Sequence, residues 1–308
     1  MKIVVMGAGG VGGFYGGLLA QAGEPVTFIA RGAHLKALRE AGLRVESQAM
    51  GDFHLKTVSA TDDPAEAGTA DLVLFATKAY DLERAAESLK PALGADTLIL
   101  PLLNGIDIAD RIAAVLGEER VLGGMCQVSS AIKEPGVIRQ VGPLNRIAFG
   151  ERTGGVSPRA QAVLTVLQQA GITAELSPNI AVDLWNKYLF ITAIGGVCTV
   201  TGFRLGPVLA DPDTRALLQG CMEEVHALAV KRKVPLKPTV VQDSLALCAK
   251  LPAETRPSLL LSLEQGGNLE IDALSGTAAR LGREWGVPTP VNQFIYAALK
   301  LRANPKGG

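Results

Sequence analysis

The sequence carries no excess of either charge: 30 Lys and Arg balance 30 Asp and Glu, for a formal net charge of zero over 308 residues. A balanced chain makes no electrostatic case for nucleic acid or an anionic membrane as a partner. Cysteine is scarce. Cys126, Cys198, Cys221 and Cys248 stand far apart with no C-x-x-C among them, which argues against a metal site or a disulfide framework. Isolated cysteines of this kind are expected as small buried apolar residues. No apolar run reaches the roughly 20 residues that span a bilayer. The longest, residues 188–203, is interrupted by Gly195, Gly196 and several threonines. Repeats and low-complexity segments are absent, and the chain starts directly on a strand-like run, with no stretch that reads as a signal peptide. These absences predict a soluble, cytoplasmic protein, long enough for two domains and a large core.

What is present concentrates at the start. Residues 2–6 are a short apolar β-type run, followed at once by Gly7-Ala8-Gly9-Gly10-Val11-Gly12, which reads G-x-G-x-x-G. A helical stretch over 14–22 and a second β-type run over 25–30 come next. In a chain with 35 glycines the motif alone is weak. With strand, loop, helix and second strand in place, it marks a dinucleotide site. Gly7 permits the tight turn, Gly9 lets the backbone approach a pyrophosphate, and Gly12 lets the helix pack closely on the strand. The helix N-terminus then offers its N–H groups to the phosphate.

Arg31 selects among dinucleotides. An NAD site places an acid at the end of the second strand to accept from the ribose 2′-OH, and this chain has Arg31 and Gly32 there. A guanidinium suits a 2′-phosphate, because it is always charged and binds two oxygens at once. The expected cofactor is therefore NADP(H); the plainer alternative is a solvated surface arginine.

The first half alternates strands (43–47, 53–59, 71–77, 97–103) with helices (34–41, 81–89, 106–116), which predicts a parallel, doubly wound α/β sheet. Residues 126–150 read as antiparallel strands added to that sheet. A helix at 158–170 and a strand at 173–176 complete the unit. Ser177-Pro178-Asn179 is the expected hinge, dividing a Rossmann-type domain at 1–178 from a mainly helical domain at 179–308. In the latter, Asp211-Pro212 starts a helix reaching residue 232, with an N-cap acid and proline at the first position. Further helices are expected at 239–250, 270–285 and 290–301, with a frayed tail at 304–308.

Ligands of an open α/β sheet bind beyond the carboxyl ends of its strands. Lys78 and Asn104 each follow a buried strand and are candidates for the cofactor's phosphates and nicotinamide; Asn104-Gly105 also reads as an ordinary turn. Lys187 lies in Leu184-Trp185-Asn186-Lys187-Tyr188-Leu189, too apolar for a solvated helix face. A half-buried ammonium is costly unless paired, and burial suits it to giving up a proton. Asp183, four residues earlier, offers the alternative of a helical ion pair. Glu270 and Asp272 open a helix two positions apart and do not share a face, so they are not a paired-carboxylate site. Each reads equally as an acid favouring the helix dipole.

Taken together, these residues resemble the ketopantoate reductase (2-dehydropantoate 2-reductase) family over essentially the whole chain. The resemblance rests on the glycine motif, Arg31, Thr77-Lys78-Ala79, Leu103-Asn104-Gly105, Leu184-Trp185-Asn186-Lys187, and Ser258 with Leu269-Glu270-Ile271-Asp272. It implies a helical second domain like that of 6-phosphogluconate dehydrogenase, a cleft between the domains, and NADPH-dependent reduction of 2-dehydropantoate on the route to pantothenate and coenzyme A. By that resemblance Lys187 is the general acid, Glu270 accepts from the substrate hydroxyl, Ser258 contacts the carboxylate, and Asn104 lies by nicotinamide and substrate. A small 2-oxo acid is the implied partner, no metal is, and a homodimer is the assembly to test for. The family pattern has asparagines four and eight residues after the lysine; here Ile191 and Gly195 stand instead. The reaction type survives that change, while selectivity for a substrate hydroxyl does not follow from it. Two rival readings remain: a β-hydroxyacid dehydrogenase of the 6-phosphogluconate type, and a dinucleotide sensor without chemistry.

Overall fold

The computed structural model describes residues 1–303; the tail at 304–308, expected to fray, lies outside them. The chain forms two compact units, Met1–Leu103 with Ile108–Ile180, and Asn104–Asp107 with Ala181–Gly308.

The first unit is α/β. Strands β1 (Ile3–Met6), β2 (Val26–Ile29), β5 (Ser59–Thr61), β6 (Ala70–Phe75) and β7 (Leu93–Pro101) form a sheet in the order β5-β2-β1-β6-β7. Every neighbouring pair is parallel. Met6 is opposite Ile29 on one side and Phe75 on the other, so three central strands end level with one another. Helices α1 (Gly10–Gln21), α2 (Gly32–Ala41), α3 (Leu82–Leu89) and α4 (Ile108–Leu116) connect or follow these strands. The near-continuous apolar run of β6 reflects burial on both faces, with Leu72, Val73, Leu74 and Phe75 all at 0% exposure.

Two expectations are corrected here. The strands at 126–150 do not join that sheet. They are β8 (Gly123–Glu134) and β9 (Val137–Gly150), the spine of a second sheet with β3 (Leu43–Ser47), β4 (Phe53–Leu55) and β10 (Thr173–Leu176), ordered β10-β9-β3-β4 with β8 on β9. Pro135-Gly136 turns β8 back on β9 along nearly its whole length, and the other edge of β9 takes β3 and β10 as parallel partners. Gly142-Pro143 does not break β9. It falls where the pairing jumps from Val141 opposite Ser129 to Arg146 opposite Gln127, a bulge that spares the proline a ladder hydrogen bond. The expected strand at 53–59 also divides: Phe53 to Leu55 pairs with β3 in the second sheet, while Ser59 begins β5 in the first. Helix α5 (Pro158–Gln169) packs Val163 and Leu167 into the same core as Phe14, Tyr15, Phe28, Val45 and Phe149, so α1 and both sheets share one interior.

The second unit is helical: α6 (Ile180–Thr201), α7 (Leu205–Ala210), α8 (Pro212–Lys231), α9 (Val240–Lys250), α10 (Ser258–Glu264), α11 (Thr277–Trp285) and α12 (Pro290–Leu299). No described helix is long and apolar enough to cross a membrane. Asp211 caps α8 as its sequence predicts, accepting from Asp213 N at 3.1 Å and Thr214 N at 2.9 Å. The start of α12 is capped from outside instead. Glu224, on α8, accepts from Val291 N at 2.7 Å, Asn292 N at 2.9 Å and Asn292 Nδ2 at 2.7 Å. Helix α6 is the centre of this core, buried along one whole turn after another from Thr192 to Thr199.

Candidate functional site

The residues expected to hold a dinucleotide follow the carboxyl ends of three adjacent strands, β2, β1 and β6. Gly7 follows β1 with φ +99°, a backbone that favours glycine. A Cβ on Gly12 would lie 2.1 Å from Gly7 O and 2.8 Å from Val5 Cγ1, so α1 sits as close to β1 as it does only because that side chain is absent. At Gly9 a Cβ would meet nothing within 4 Å, so the backbone there faces open space. Ala8, buried, ties the loop to β2 by donating from its N to Ile29 O at 3.0 Å. Gly10 and Val11 begin α1, whose first turn holds no acid and whose N-cap Gly9 gives no side-chain cap. The N-terminal N–H groups of α1 thus suit an anion.

Arg31 comes two residues after β2 ends, at the N-cap position of α2, exposed and with no acid paired to it among the described residues. Lys78 comes three residues after β6 ends and is also exposed. His34, in the first turn of α2, is a residue that sequence reasoning passed over. Its Nδ1 accepts from Gly136 N at 3.1 Å, and burial pushes the imidazole pKa below its ordinary value.

The remaining candidates lie in the helical unit. Asn104 is half-buried in a four-residue segment that follows β7 in the chain yet belongs to the second unit. Ile106 packs on that unit's core, and Arg280 Nη2 of α11 donates to Asp107 Oδ2 at 2.7 Å. The other oxygen, Asp107 Oδ1, is buried with no hydrogen-bond partner among the described residues. Lys187 is half-buried on α6, flanked by buried Trp185, Tyr188 and Leu189. Trp185 and Tyr188 meet edge to face, ring centroids 6.0 Å apart. The Tyr188 hydroxyl donates to Leu274 O at 2.7 Å, and burial, with the Asp107 charge second, holds its pKa well above the ordinary value.

Glu270 does not open a helix, contrary to the sequence expectation. It precedes a π-helical turn, Asp272–Gly276, in which Leu274 departs from helical geometry (φ −102°, ψ −107°), and α11 begins only at Thr277. The turn is closed by Gly276 N donating to Ile271 O at 2.9 Å. First-turn dipole stabilisation therefore does not account for Glu270. The two acids that look equivalent in sequence are separated by their neighbours. Asp272 Oδ1 accepts from the Tyr296 hydroxyl at 2.7 Å, whereas Glu270 emerges half-buried between Leu269 (2% exposed) and Ile271 (0% exposed). Ser258 is exposed at the first position of α10, and its neighbour Leu259 is buried.

The helical unit brings three of these segments together. A Cβ built on Gly195 of α6 would lie 3.8 Å from Leu259 Cβ and 3.9 Å from Leu274 Cδ1. Lys187, two turns earlier on the same face, thus shares its helix with contacts to the start of α10 and to the turn after Glu270. The glycine loop, Arg31 and Lys78 belong to the other unit. Sequence reasoning missed Asp107 and Arg280, which are 173 positions apart and carry no shared motif.

A Rossmann-type α/β domain joined to a mainly helical domain, with a lysine set in the apolar central helix of the second, is the architecture of a two-domain oxidoreductase. The comparisons narrow the class. Residues 3–154 match the family model for ketopantoate reductase PanE/ApbA, and residues 179–303 match the model for its C-terminal domain. The chain belongs to the ketopantoate reductase family. It is 33% identical to the uncharacterized oxidoreductase YkpB of Bacillus subtilis over 304 residues, 98% of each chain. It is 30% identical to a 2-dehydropantoate 2-reductase of Mesorhizobium japonicum over 328 aligned positions, covering 100% of this chain and 99% of the relative. The crystal structure of a PanE/ApbA family ketopantoate reductase from Ralstonia eutropha superposes with a TM-score of 0.90 at 32% identity, covering 99% of both chains.

Proposed function

We propose that this protein reduces a 2-oxo acid with NADPH, by the reaction its 2-dehydropantoate reductase relatives are named for. The observation that carries the proposal is Lys187: an ammonium half-buried in an apolar helix whose next residue, Tyr188, is bonded to the turn after Glu270. A half-buried ammonium has a use where negative charge develops, and carbonyl reduction creates that charge on oxygen.

The nucleotide half fits NADPH. The open face at Gly9, the uncapped start of α1 and the exposed guanidinium of Arg31 offer a pyrophosphate and a 2′-phosphate the groups each needs. When bound, NADPH supplies hydride to C2 of the acid. Lys187 donates a proton to the carbonyl oxygen as it becomes an alkoxide; a positioned general acid contributes about 10²–10⁴-fold. Glu270 accepts from the substrate hydroxyl, and Ser258 donates to the carboxylate. Asn104 holds the substrate near the reacting carbon.

The test is NADPH oxidation, followed spectrophotometrically across a panel of 2-oxo acids, with the reverse reaction run on 2- and 3-hydroxy acids. Turnover of a 2-oxo acid is expected. Turnover confined to 3-hydroxy acids would assign the protein to β-hydroxyacid dehydrogenase chemistry. Tight NADPH binding with no turnover would make it a sensor.

A further inference from the structure

We infer that Tyr188 is a positioning residue for Glu270: its hydroxyl maintains the helix break that sets the direction of Glu270. The inference rests on the 2-oxo-acid reductase reading above, in which Glu270 meets the substrate. Residues 270–285 read in sequence as one helix, and the structure interrupts them at Leu274 (φ −102°, ψ −107°), inside the π-helical turn. A break of this kind has a local cause: proline, a Gly/Ser pair, or a group inserted into the ladder of i to i+4 hydrogen bonds. No proline lies between Pro257 and Pro288. Ser275-Gly276 makes the backbone pliable there, but a pliable backbone does not pair the Leu274 carbonyl, whose residue is only 5% exposed.

Tyr188 supplies the inserted group. Its ring, in a residue 1% exposed, is held edge-on by Trp185. Its hydroxyl donates to Leu274 O at 2.7 Å, and the Ala278 N–H faces the same phenol oxygen. Leu274 and Ala278 are the two residues that an unbroken helix would bond to each other, so the phenol stands between them. Burial, ahead of the Asp107 charge, keeps the phenol protonated and hence a donor. Without the hydroxyl, the Leu274 carbonyl either stays buried and unpaired or closes back on Ala278. A π-turn holds one residue more than an α-turn. Closing it winds the preceding chain round by about one residue, roughly 100° at 3.6 residues per turn. Glu270 lies in that preceding chain, four residues before Leu274.

The other contacts of the segment act elsewhere. Leu269 N donates to Ala303 O at 3.0 Å, before Glu270, and the Tyr296 hydroxyl meets the Asp272 side chain rather than the backbone. Tyr188 is the side chain bonded at Leu274 itself. It also adjoins Lys187 on α6, and residues one apart on a helix do not face each other. The buried phenol therefore acts through the turn, while half-buried Lys187 points to a different side of the same helix.

The experiment is a double-mutant cycle on the full chain, with NADPH and the 2-oxo acid of the panel that is turned over fastest. Tyr188→Phe removes one oxygen and keeps the ring. It is expected to lower kcat/KM by about tenfold or more, with a rise in KM, since misplacing a group by about 1 Å can cost up to about 10²-fold. In a Glu270→Gln background the same change is expected to cost under about twofold, because the group it positions is already gone. Tyr188→Met, whose flexible side chain fills the space without a donor, takes its place should Tyr188→Phe fail to fold. No loss in the folded variant would overturn the inference and leave the reductase reading in place. So would an equal loss in both backgrounds, which would mean that the phenol acts through the fold at large or through Lys187. A chain that reduces no 2-oxo acid would overturn that reading, and the inference with it.

Discussion

Arg280 on α11 reaches a segment 173 positions away, donating from Nη2 to Asp107 Oδ2 at 2.7 Å. That contact, with Ile106 packed on the helical core, fastens the short stretch bearing Asn104 to the unit that also carries Lys187, Ser258 and Glu270. Arg280 is partly exposed and also pairs with Glu284, so screening limits what the bond contributes. The Asp107 side chain, 17% exposed with one oxygen already lacking a partner, is the more vulnerable end. Arg280→Met is expected to cost about 1–2 kcal/mol by urea unfolding. It is also expected to lower kcat/KM for the acid by more than it weakens NADPH binding, because Asn104 loses its anchor while the glycine loop and Arg31 do not. Unchanged stability and unchanged kinetics together would show that the pair does not position the segment.

Arg31 is tested through cofactor choice. Losing a charge-assisted pair to the 2′-phosphate costs on the order of 1.5–3 kcal/mol. Arg31→Ala should therefore raise the NADPH dissociation constant roughly 10- to 150-fold and barely alter that for NADH. Fluorescence titration with both cofactors measures this. Equal weakening of the two would return Arg31 to the role of a surface residue.

For the chemistry, Lys187→Ala is expected to lower kcat by at least about 10²-fold with NADPH affinity near wild type. Glu270→Ala should raise KM as well, since its carboxylate holds bound acid in the ground state and the transition state alike. Steady-state kinetics in both directions separates the two patterns. A Lys187→Ala protein that turns over normally but melts early would identify the lysine as a structural partner of Asp183.

The cysteines make a prediction about alkaline pH. Burial pushes the Cys198 thiol from its ordinary 9.0 up to about 12 and the Cys248 thiol to about 11. Above pH 9 the unfolded chain releases these protons and the folded one does not, so ionisation favours unfolding. Their contribution to stability is whole below pH 9 and is lost as pH rises through the folded values. The melting temperature should fall across that window, and less steeply in a Cys198→Ala, Cys248→Ala variant. A thiol reagent at neutral pH should label the native protein slowly and the urea-unfolded chain at once.

Much of the nucleotide half was legible because its determinants are contiguous. A β-type run, a six-residue glycine motif, an apolar helix and a second strand are spelled within 31 positions. The three glycines then stand where a turn, an open backbone face and a close helix–strand contact need them. The start of α8 was readable for the same reason, since Asp211 caps N–H groups only two and three residues away.

What the tertiary structure alone decided involves partners far apart in the chain. Sequence pattern cannot tell that residues 53–59 serve two sheets, because β-propensity does not name the strand to be paired. Nor does it show that the bulged hairpin of β8 and β9 makes a sheet with β3 rather than extending the first. Glu270 and Asp272 have like charge and like neighbours; Tyr296, 24 positions on, occupies the second and not the first. Asn104 follows a strand of the first unit and is counted with it by any linear reading. Ile106 and Arg280 place it with the second, because packing and ion pairing act through space while sequence propensity acts along the chain.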